Sequence, residues 1–404
     1  MQSHTSEYIC SLLEGACDAF KIERCKWRSL TTDNANNMKA ASNLFLGKGR
    51  HVSCFAHTIH LVVDNVVKEI SSFSNVLDKV KKIVTHFKHS PAAMDMLRKL
   101  QKDEGVSEGR IRTLVQSVDT RWNSCLDMLI SFLSLSNKVA IVLINRASSV
   151  KGLPDMLTSN EIYLCQDFCD FLKPFKEATE KISGDNYVTV SMIIPLIALL
   201  VEKIRNLNVA SNEGILTKEL LLKVSEDRFK SLQCNKILAK SSMLDPRFKK
   251  LYLPPLIASE VVRDIVSEIS QKISEDSLTE SANPFNDEHT LCESEGFQEA
   301  HQRSIALRQT TREVPQNQEL SLFLSLPFAS WESDPITFWT SQKETFPVLA
   351  ELAIGYLITP GSSVASERLA SAIKCVVADT RSRMTDTHVT QRVFLKSLKK
   401  EFWT

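Results

Sequence analysis

The stretch that decides the fold runs from residue 30 to residue 61 and reads LTTDNANNMKAASNLFLGKGRHVSCFAHTIHL. Two short strand patterns, at 27–32 and 51–54, each lead into a pattern of apolar residues at helical spacing. The asparagines after Asp33 suit a turn and a helix cap, and a helix is predicted over 38–46. This strand–helix–strand–helix order predicts an α/β unit.

Outside this stretch the sequence predicts a mostly helical protein. An amphipathic helix is expected over 7–20 and a long helical stretch over about 56–88. From about 90 to 275 the apolar stripes continue with few breaks. The predicted helical segments there are 91–103, 123–146, 160–182, 190–206, 215–232 and 259–274. Residues 276–318, rich in Ser, Glu, Asn, Gln and Thr, predict a flexible linker, and order returns at Leu320.

The composition limits the kinds of partner that the chain can have. With 49 Lys+Arg against 48 Asp+Glu, the 404 residues carry a net charge of +1. Because no global positive field attracts polyanions, a nucleic-acid role must depend on local basic patches. Only 11 Gly and 13 Pro are present, which favours long helices over a barrel or a sandwich.

Cysteine usage and apolar runs bear on the cellular compartment. The 10 cysteines are scattered singly, without a CxxC pair, as is typical of cytosolic or nuclear proteins. The first residues lack a signal-peptide pattern. The longest wholly apolar run, 192–201, is interrupted by Pro195 and is shorter than the about 20 residues of a membrane helix. We therefore expect neither secretion nor a membrane partner.

Two motifs near the predicted strands offer candidate metal ligands. Asp33 at a strand end is exposed yet rigidly placed, which suits a metal ligand, although a cap or turn aspartate is the commoner role. Cys54, His57 and His60 follow the second strand, but no partner pair at zinc-finger spacing accompanies them. Core packing is the favoured interpretation of these three residues.

Two later motifs suggest contacts with nucleic acid. Arg121 and Trp122 combine a phosphate-binding group with a base-stacking ring, although a packed Trp beside a salt-bridged Arg would look the same. Glu367 follows a serine-led helix start, where the helix dipole favours an anion, and the alternative is helix capping with an exposed charge pair. Residues 360–404 are locally basic and include Arg368, which suits either DNA or a solvated face. The same segment has an apolar stripe, which must pack on the chain or on a partner.

Taken together and in order, these motifs resemble the hAT (hobo/Ac/Tam3) transposase superfamily, and most closely its BED-type zinc-finger (ZBED) relatives. The matching blocks are TTDNANNM at 31–38, CFAHTIHL at 54–61, DTRWNS at 119–124, LDPRFK at 244–249 and PGSSVASERL at 360–369. The resemblance covers nearly the whole chain. It implies an α/β fold with a large all-α insertion, predominantly helical overall. The expected parts are a partial ribonuclease-H-like core (1–65), a helical insertion (66–275), the linker (276–318) and a hAT C-terminal dimerisation region (319–404) that completes the core.

The resemblance also implies specific site residues. Active relatives use two Asp and one Glu to hold two divalent metals, Mg²⁺ or Mn²⁺, for DNA cleavage, and Asp33 and Glu367 match two of these positions. The first Asp and the BED finger are not found in the sequence, so we expect a vestigial, incomplete site and no cofactor. Nucleic-acid contacts are expected at Arg121, Trp122 and Arg368. Self-association is expected through residues 320–404, at positions that include Trp339, Phe346, Leu349, Tyr356, Val393 and Leu395.

These expectations support one main hypothesis and two alternatives. The main hypothesis is a domesticated, catalytically inactive nuclear protein that dimerises and associates with DNA or chromatin, with a role in transcription regulation. The first alternative is a fragment of an active transposase that uses two-metal phosphoryl transfer. The second is a pure interaction module without DNA contact. None of them predicts a small-molecule substrate.

Overall fold

The computed structural model describes residues 5–118, 122–148, 150–209, 211–280, 318–377 and 384–398. These residues form sixteen α-helices and two β-strands. In chain order they are α1 Ser6–Ala19, β1 Leu30–Thr32, α2 Asn36–Leu46, β2 His51–Ser53, α3 Phe55–Glu69, α4 Ser71–His89, α5 Pro91–Asp103, α6 Trp122–Arg146, α7 Ser159–Ile182, α8 Ile193–Arg205, α9 Asn212–Gln233, α10 Lys236–Met243, α11 Pro255–Glu280, α12 Gln318–Ser325, α13 Pro335–Ser341, α14 Pro347–Leu357, α15 Val364–Val376 and α16 Asp386–Ser397. The predominantly helical character predicted from the sequence is confirmed.

The two strands form a parallel pair, with Leu30 opposite His51 and Thr32 opposite Ser53. Helix α2 connects them, which is the crossover that a parallel pair requires. In the part of the chain that the structure describes, the sheet has these two strands and no more. The structure therefore supports the predicted strand–helix–strand unit, but it does not establish a complete α/β ribonuclease-H-like core.

The helical stretch expected over about 56–88 is observed, but it is divided into two helices because the chain bends at Ile70. This residue adopts an extended conformation (φ −100°, ψ 94°), ending α3 and preceding α4. The Ser74 hydroxyl donates a hydrogen bond to the Val67 carbonyl oxygen at 2.8 Å, which satisfies a backbone group freed by the bend. Both helices bury their own apolar faces, so the apolar pattern runs through the bend without interruption.

The helices around α3 and α7 enclose one continuous apolar core. Helix α7 begins with a capping box, in which Thr158 and Glu161 exchange side-chain and backbone hydrogen bonds. Glu161 also pairs with Lys79 of α4 at 2.6 Å and so joins the two helices. Helix α6 buries residues such as Leu129 and Phe132, and among the described helices it is the one long and apolar enough to cross a bilayer.

Helices extend into both ends of the predicted linker. Helix α11 continues to Glu280 and α12 begins at Gln318, so both ends of the 276–318 segment are helical. The remainder of that segment, 281–317, lies outside the described residues.

Candidate functional site

The segment 359–363 brings the C-terminal part of the chain to the strand–helix–strand unit. The Thr31 hydroxyl donates to the Pro360 carbonyl oxygen at 2.7 Å, and the Phe55 amide donates to the Gly361 carbonyl oxygen at 3.2 Å. The hydroxyls of Ser29 and Thr359 lie 2.8 Å apart. The segment therefore runs beside β1 and the first turn of α3.

The same segment is fastened to the helical part on its other side. The Gly361 amide donates to Thr189 Oγ1 at 2.9 Å, and the Ser362 hydroxyl donates to the Ile182 carbonyl oxygen at 3.0 Å. A Cβ atom on Gly361 would lie 2.9 Å from Ile182 Cδ1 and 3.1 Å from the Thr189 carbonyl oxygen. The absence of a side chain therefore permits this close backbone approach.

Asp33 lies at the carboxyl end of β1, exposed to solvent as predicted. Its Oδ1 accepts a hydrogen bond from the Ala35 amide at 3.3 Å, which is a turn-type interaction. The side chain lines an open groove of about 550 Å³ together with Lys39, His57 and Arg228. The groove also contains Asp227, so its two carboxylates offset the positive charges of Lys39 and Arg228.

Glu367 lies apart from that groove. It is exposed in the first turn of α15, and its Oε1 accepts a hydrogen bond from the Ser363 hydroxyl at 2.9 Å. The neighbouring Arg368 forms an exposed pair with Asp185, with Nη1 and Oδ2 3.4 Å apart. Of the described residues, those that line the Asp33 groove do not include Glu367.

The described residues therefore do not fit the metal site that the resemblance implies. They contain no group of three His, Cys, Asp or Glu side chains able to hold a metal ion. Asp33 and Glu367 each engage a local hydrogen bond at a turn or a helix start instead. We derive no metal-dependent step from this arrangement.

Cys54 lies in the core at the strand–helix junction as predicted, whereas His57 and His60 of α3 are half-buried and line concave surfaces of the chain. Cys54 is fully buried and caps α3, because its Sγ accepts a hydrogen bond from the His57 amide at 3.4 Å. The same sulfur accepts from the Ser363 amide at 3.2 Å. Cys54 thereby links the first turn of α3 to the 359–363 segment.

Trp122 is half-buried and lines a second cavity, of about 340 Å³, on the other side of α3. His60, Lys68 and Lys81 lie around this cavity, and Phe73 forms part of its apolar wall. An aromatic ring beside basic side chains can stack on a base and contact a phosphate. Arg121, which was predicted to contact nucleic acid together with Trp122, lies outside the described residues.

Three predicted dimerisation residues are buried inside the chain itself. Trp339 and Leu349 are 0% exposed and Phe346 is 1% exposed, so these side chains are closed to a partner. The Trp339 ring donates its Nε1 hydrogen to the Leu244 carbonyl oxygen at 2.7 Å. Their assignment to a dimer surface is therefore wrong, because residues 318–357 pack against the helical part of the same chain.

The docking of this region depends on a buried polar cluster that the sequence argument did not identify as a site. Asp245 is fully buried, pairs with Arg247 at 2.7 Å and accepts a hydrogen bond from the Ser191 hydroxyl at 2.6 Å. Arg247 in turn donates to the Trp331 carbonyl oxygen at 3.3 Å. Lys249 donates to the Leu326 carbonyl oxygen, and burial lowers the pKa of its ammonium group. The LDPRFK block was the available signal, but nothing in its spacing indicates what its charges contact.

Helices α15 and α16 differ from residues 318–357. They pack mainly against each other, and the described part of the pair leaves several apolar side chains in solvent. Leu369 is 47% exposed, Phe394 is 61% exposed and Leu395 is 44% exposed. Val393 is half-buried, as is Tyr356 on the preceding helix α14. We call α15 and α16 the terminal hairpin.

Comparison with known families assigns two regions of the chain. Residues 319–398 match the hAT family C-terminal dimerisation region. Residues 52–171 match the ZBED1 RNase-like helical domain. These matches agree with the resemblance drawn from the sequence blocks and confirm it.

Similar proteins align with most of the chain. It is 25% identical over 374 residues to zinc finger BED domain-containing protein 4 of Homo sapiens, covering 90% of this chain and 30% of that protein. It is 26% identical to zinc finger BED domain-containing protein 6 of Mus musculus, covering 91% of this chain and 39% of that protein. It is 25% identical to the "Putative AC transposase" of Zea mays, covering 94% of this chain and 49% of that protein. The chain thus spans less than half the length of each of these three proteins.

Proposed function

We propose that this homologue of ZBED proteins and AC transposases is a nuclear protein that self-associates and binds DNA without cleaving it. Its matched hAT C-terminal dimerisation region supports the self-association. Its role is regulatory, in transcription or chromatin organisation. The observation that carries the proposal is the terminal hairpin, which lies within the matched dimerisation region and exposes apolar side chains.

The hairpin supports self-association because it is poorly covered by its own chain. Leu369, Ile373, Phe394 and Leu395 are each at least 39% exposed. A cluster of exposed apolar side chains on paired helices is typical of an interaction surface. In a symmetric dimer the same patch on two copies can cover itself, which needs no further partner. By contrast, Trp339 and its neighbours are already buried and stabilise the single chain.

The double variant Leu369→Asp/Phe394→Asp is expected to weaken self-association by on the order of 100-fold or more. Two carboxylates placed in an apolar contact would lose hydration without gaining a partner. The measurement is the mass in solution as a function of concentration, by size exclusion with light scattering. Deleting 318–398 would be a poor test, because it also removes the buried residues around Trp339.

The matched control is Ile144→Asp/Leu256→Asp. These side chains are 73% and 87% exposed and lie on α6 and α11, away from the terminal hairpin. The control is expected to retain the mass of the intact chain. A hairpin variant with unchanged mass would contradict the proposed surface, as would an intact chain that stays monomeric at all concentrations.

The proposed DNA contact rests on the two concave surfaces beside α3. Lys39 and Arg228 line the groove that contains Asp33, and Lys68 and Lys81 line the cavity of Trp122. These local basic groups fit a chain whose net charge is only +1. Catalysis is not proposed, because Glu367 does not line the groove of Asp33 and each carboxylate accepts a local hydrogen bond.

The chain is expected to bind duplex DNA with a steep salt dependence and to leave it uncut in Mg²⁺ or Mn²⁺. In Lys39→Ala/Arg228→Ala the slope of log K against log salt is expected to fall by about two, since each phosphate contact contributes about 0.9. Binding is measured by fluorescence anisotropy at several salt concentrations, and cleavage by nicking of a supercoiled plasmid.

Arg263→Ala/Lys343→Ala serves as the control, because both cations are exposed and line neither concavity. An equal fall of the salt slope in both variants would show that DNA is bound by nonspecific charge attraction. That result would contradict the proposed DNA contact in the groove. Nicking by the intact chain that disappears in Asp33→Asn would contradict the proposal that the chain does not cleave DNA. It would support the alternative, a fragment of an active transposase.

A further inference from the structure

A third concavity lies at the opposite end of the strands from Asp33. Its volume is about 290 Å³. Arg28 comes just before β1, and Lys48 and Arg50 come just before β2. Because β1 and β2 are parallel, their amino ends place these three basic residues at one edge. Lys236 and Lys240 of α10 complete the basic lining, so five cationic side chains surround one cavity.

The loop before β2 has a conformation suited to presenting its basic residues. Gly47 and Gly49 have φ values of +84° and +85°, which glycine adopts without strain. They flank Lys48, which is exposed and has no ion-pair partner in the part of the chain that the structure describes. Arg50 is steadied by a hydrogen bond from its Nη1 to the Trp27 carbonyl oxygen at 3.2 Å.

Arg28 occupies the other side of the cavity. Its guanidinium passes over α14 at Gly355, where a Cβ atom would lie 3.6 Å from Arg28 Nε. Among the described residues, no carboxylate pairs with Arg28. The rim of the cavity therefore presents unpaired cations on both of its sides.

The floor of the cavity is polar, and the two lysines of α10 pair there with three carboxylates. Lys240 is 7% exposed and bonds to Glu268, and the Tyr356 hydroxyl donates to Glu268 Oε1 at 2.9 Å. Lys236 pairs with Glu260 at 3.2 Å and with Asp264 at 2.9 Å. The five cations around the cavity exceed these three carboxylates by two positive charges, and neither Arg28 nor Lys48 forms an ion pair among the described residues. The excess positive charge is left for a ligand.

We propose that this cavity binds a small polyphosphate anion, such as the di- or triphosphate group of a free small molecule. A guanidinium fork and ammonium groups are the side chains that recognise phosphate oxygens best. The cavity volume of about 290 Å³ lies near the lower end of the about 300–1,000 Å³ that small-ligand pockets span, which suits a compact anion. The inference is independent of self-association and of DNA contact beside α3.

The test is a calorimetric titration of the full chain with inorganic tripolyphosphate, with sulfate at matched ionic strength as the reference anion. We expect one tripolyphosphate per chain and much weaker binding of sulfate. In Arg28→Ala/Lys48→Ala the affinity is expected to fall about tenfold or more, because two charge-assisted contacts are lost. Both side chains are exposed, so this variant is expected to fold normally, which circular dichroism checks.

Arg263→Ala/Lys343→Ala removes the same charge from exposed positions outside the cavity and is expected to bind tripolyphosphate as the intact chain does. Three outcomes would overturn the proposal. One is that the intact chain does not bind tripolyphosphate. Another is that both variants lose the same affinity for tripolyphosphate. The third is that duplex DNA displaces tripolyphosphate and that DNA binding is lost in Arg28→Ala/Lys48→Ala but not in the control variant. This result would make the site a contact for the DNA backbone.

Discussion

Replacing Asp245 by alanine is expected to lower the free energy of unfolding by about 3–5 kcal/mol. Asp245 is 0% exposed, and its carboxylate receives hydrogen bonds from the Arg247 side chain, the Arg247 amide and the Ser191 hydroxyl. Without it, the guanidinium of Arg247, whose side chain is only 6% exposed, would stay buried and uncompensated. Chemical denaturation followed by circular dichroism measures the change.

Asp170→Ala is the matched control, since it breaks an exposed pair with Lys173. Its expected cost is below about 1 kcal/mol, because solvent screens that pair. The double variant Asp245→Ala/Arg247→Ala should recover part of the loss, since it removes both buried charges. A cost for Asp245→Ala as small as that for Asp170→Ala would refute the structural role of the LDPRFK block.

Trp339→Ala is expected to destabilise the chain by about 3–5 kcal/mol, the usual cost of removing a large buried aromatic side chain. The ring packs against Phe323, with ring centroids 4.6 Å apart, and against Phe346, at 6.0 Å. Trp339→Phe keeps most of the packing but leaves the Leu244 carbonyl oxygen without its donor, so about 1–3 kcal/mol is expected. Thermal and chemical unfolding report both values.

The comparison with Phe394→Ala separates a core role from a dimer role. Phe394 is 61% exposed, so its replacement should change the free energy of unfolding of the monomer by no more than about 0.5 kcal/mol. It should instead weaken self-association. If Trp339→Ala weakened self-association and left the unfolding free energy unchanged, the assignment of Trp339 to the chain's own core would be wrong.

Most helix positions could be predicted from the sequence because local signals mark their ends. Helix α5 was expected over 91–103 and is observed at Pro91–Asp103, where Ser90 caps it and Pro91 takes the first position. The break at Ile70 could not be predicted, because no Gly or Pro marks it and the apolar pattern continues through it. A bend of this kind is decided by the surfaces on which the two helices pack.

The candidate sites were also predictable only in their local features. The end of a predicted strand and the order of the motifs were enough to place Asp33 at an exposed strand end. They could not show that Glu367 lies outside the Asp33 groove, because that depends on how 359–363 crosses β1 and α3. The cavity of Arg28 and Lys48 could not be predicted either, since its lining comes from the segments before β1 and β2 and from α10, α11 and α14.

By itself the sequence determined which segments are helical, which residues are apolar, and which family the motifs resemble. It determined that residues 320–398 carry more apolar surface than an isolated segment can leave in water. Only the tertiary structure decided that Trp339, Phe346 and Leu349 are covered by their own chain, whereas Leu369 and Phe394 are not. The physical reason is that the hydrophobic effect is non-directional: an apolar stripe gains the same free energy from its own chain as from a second copy.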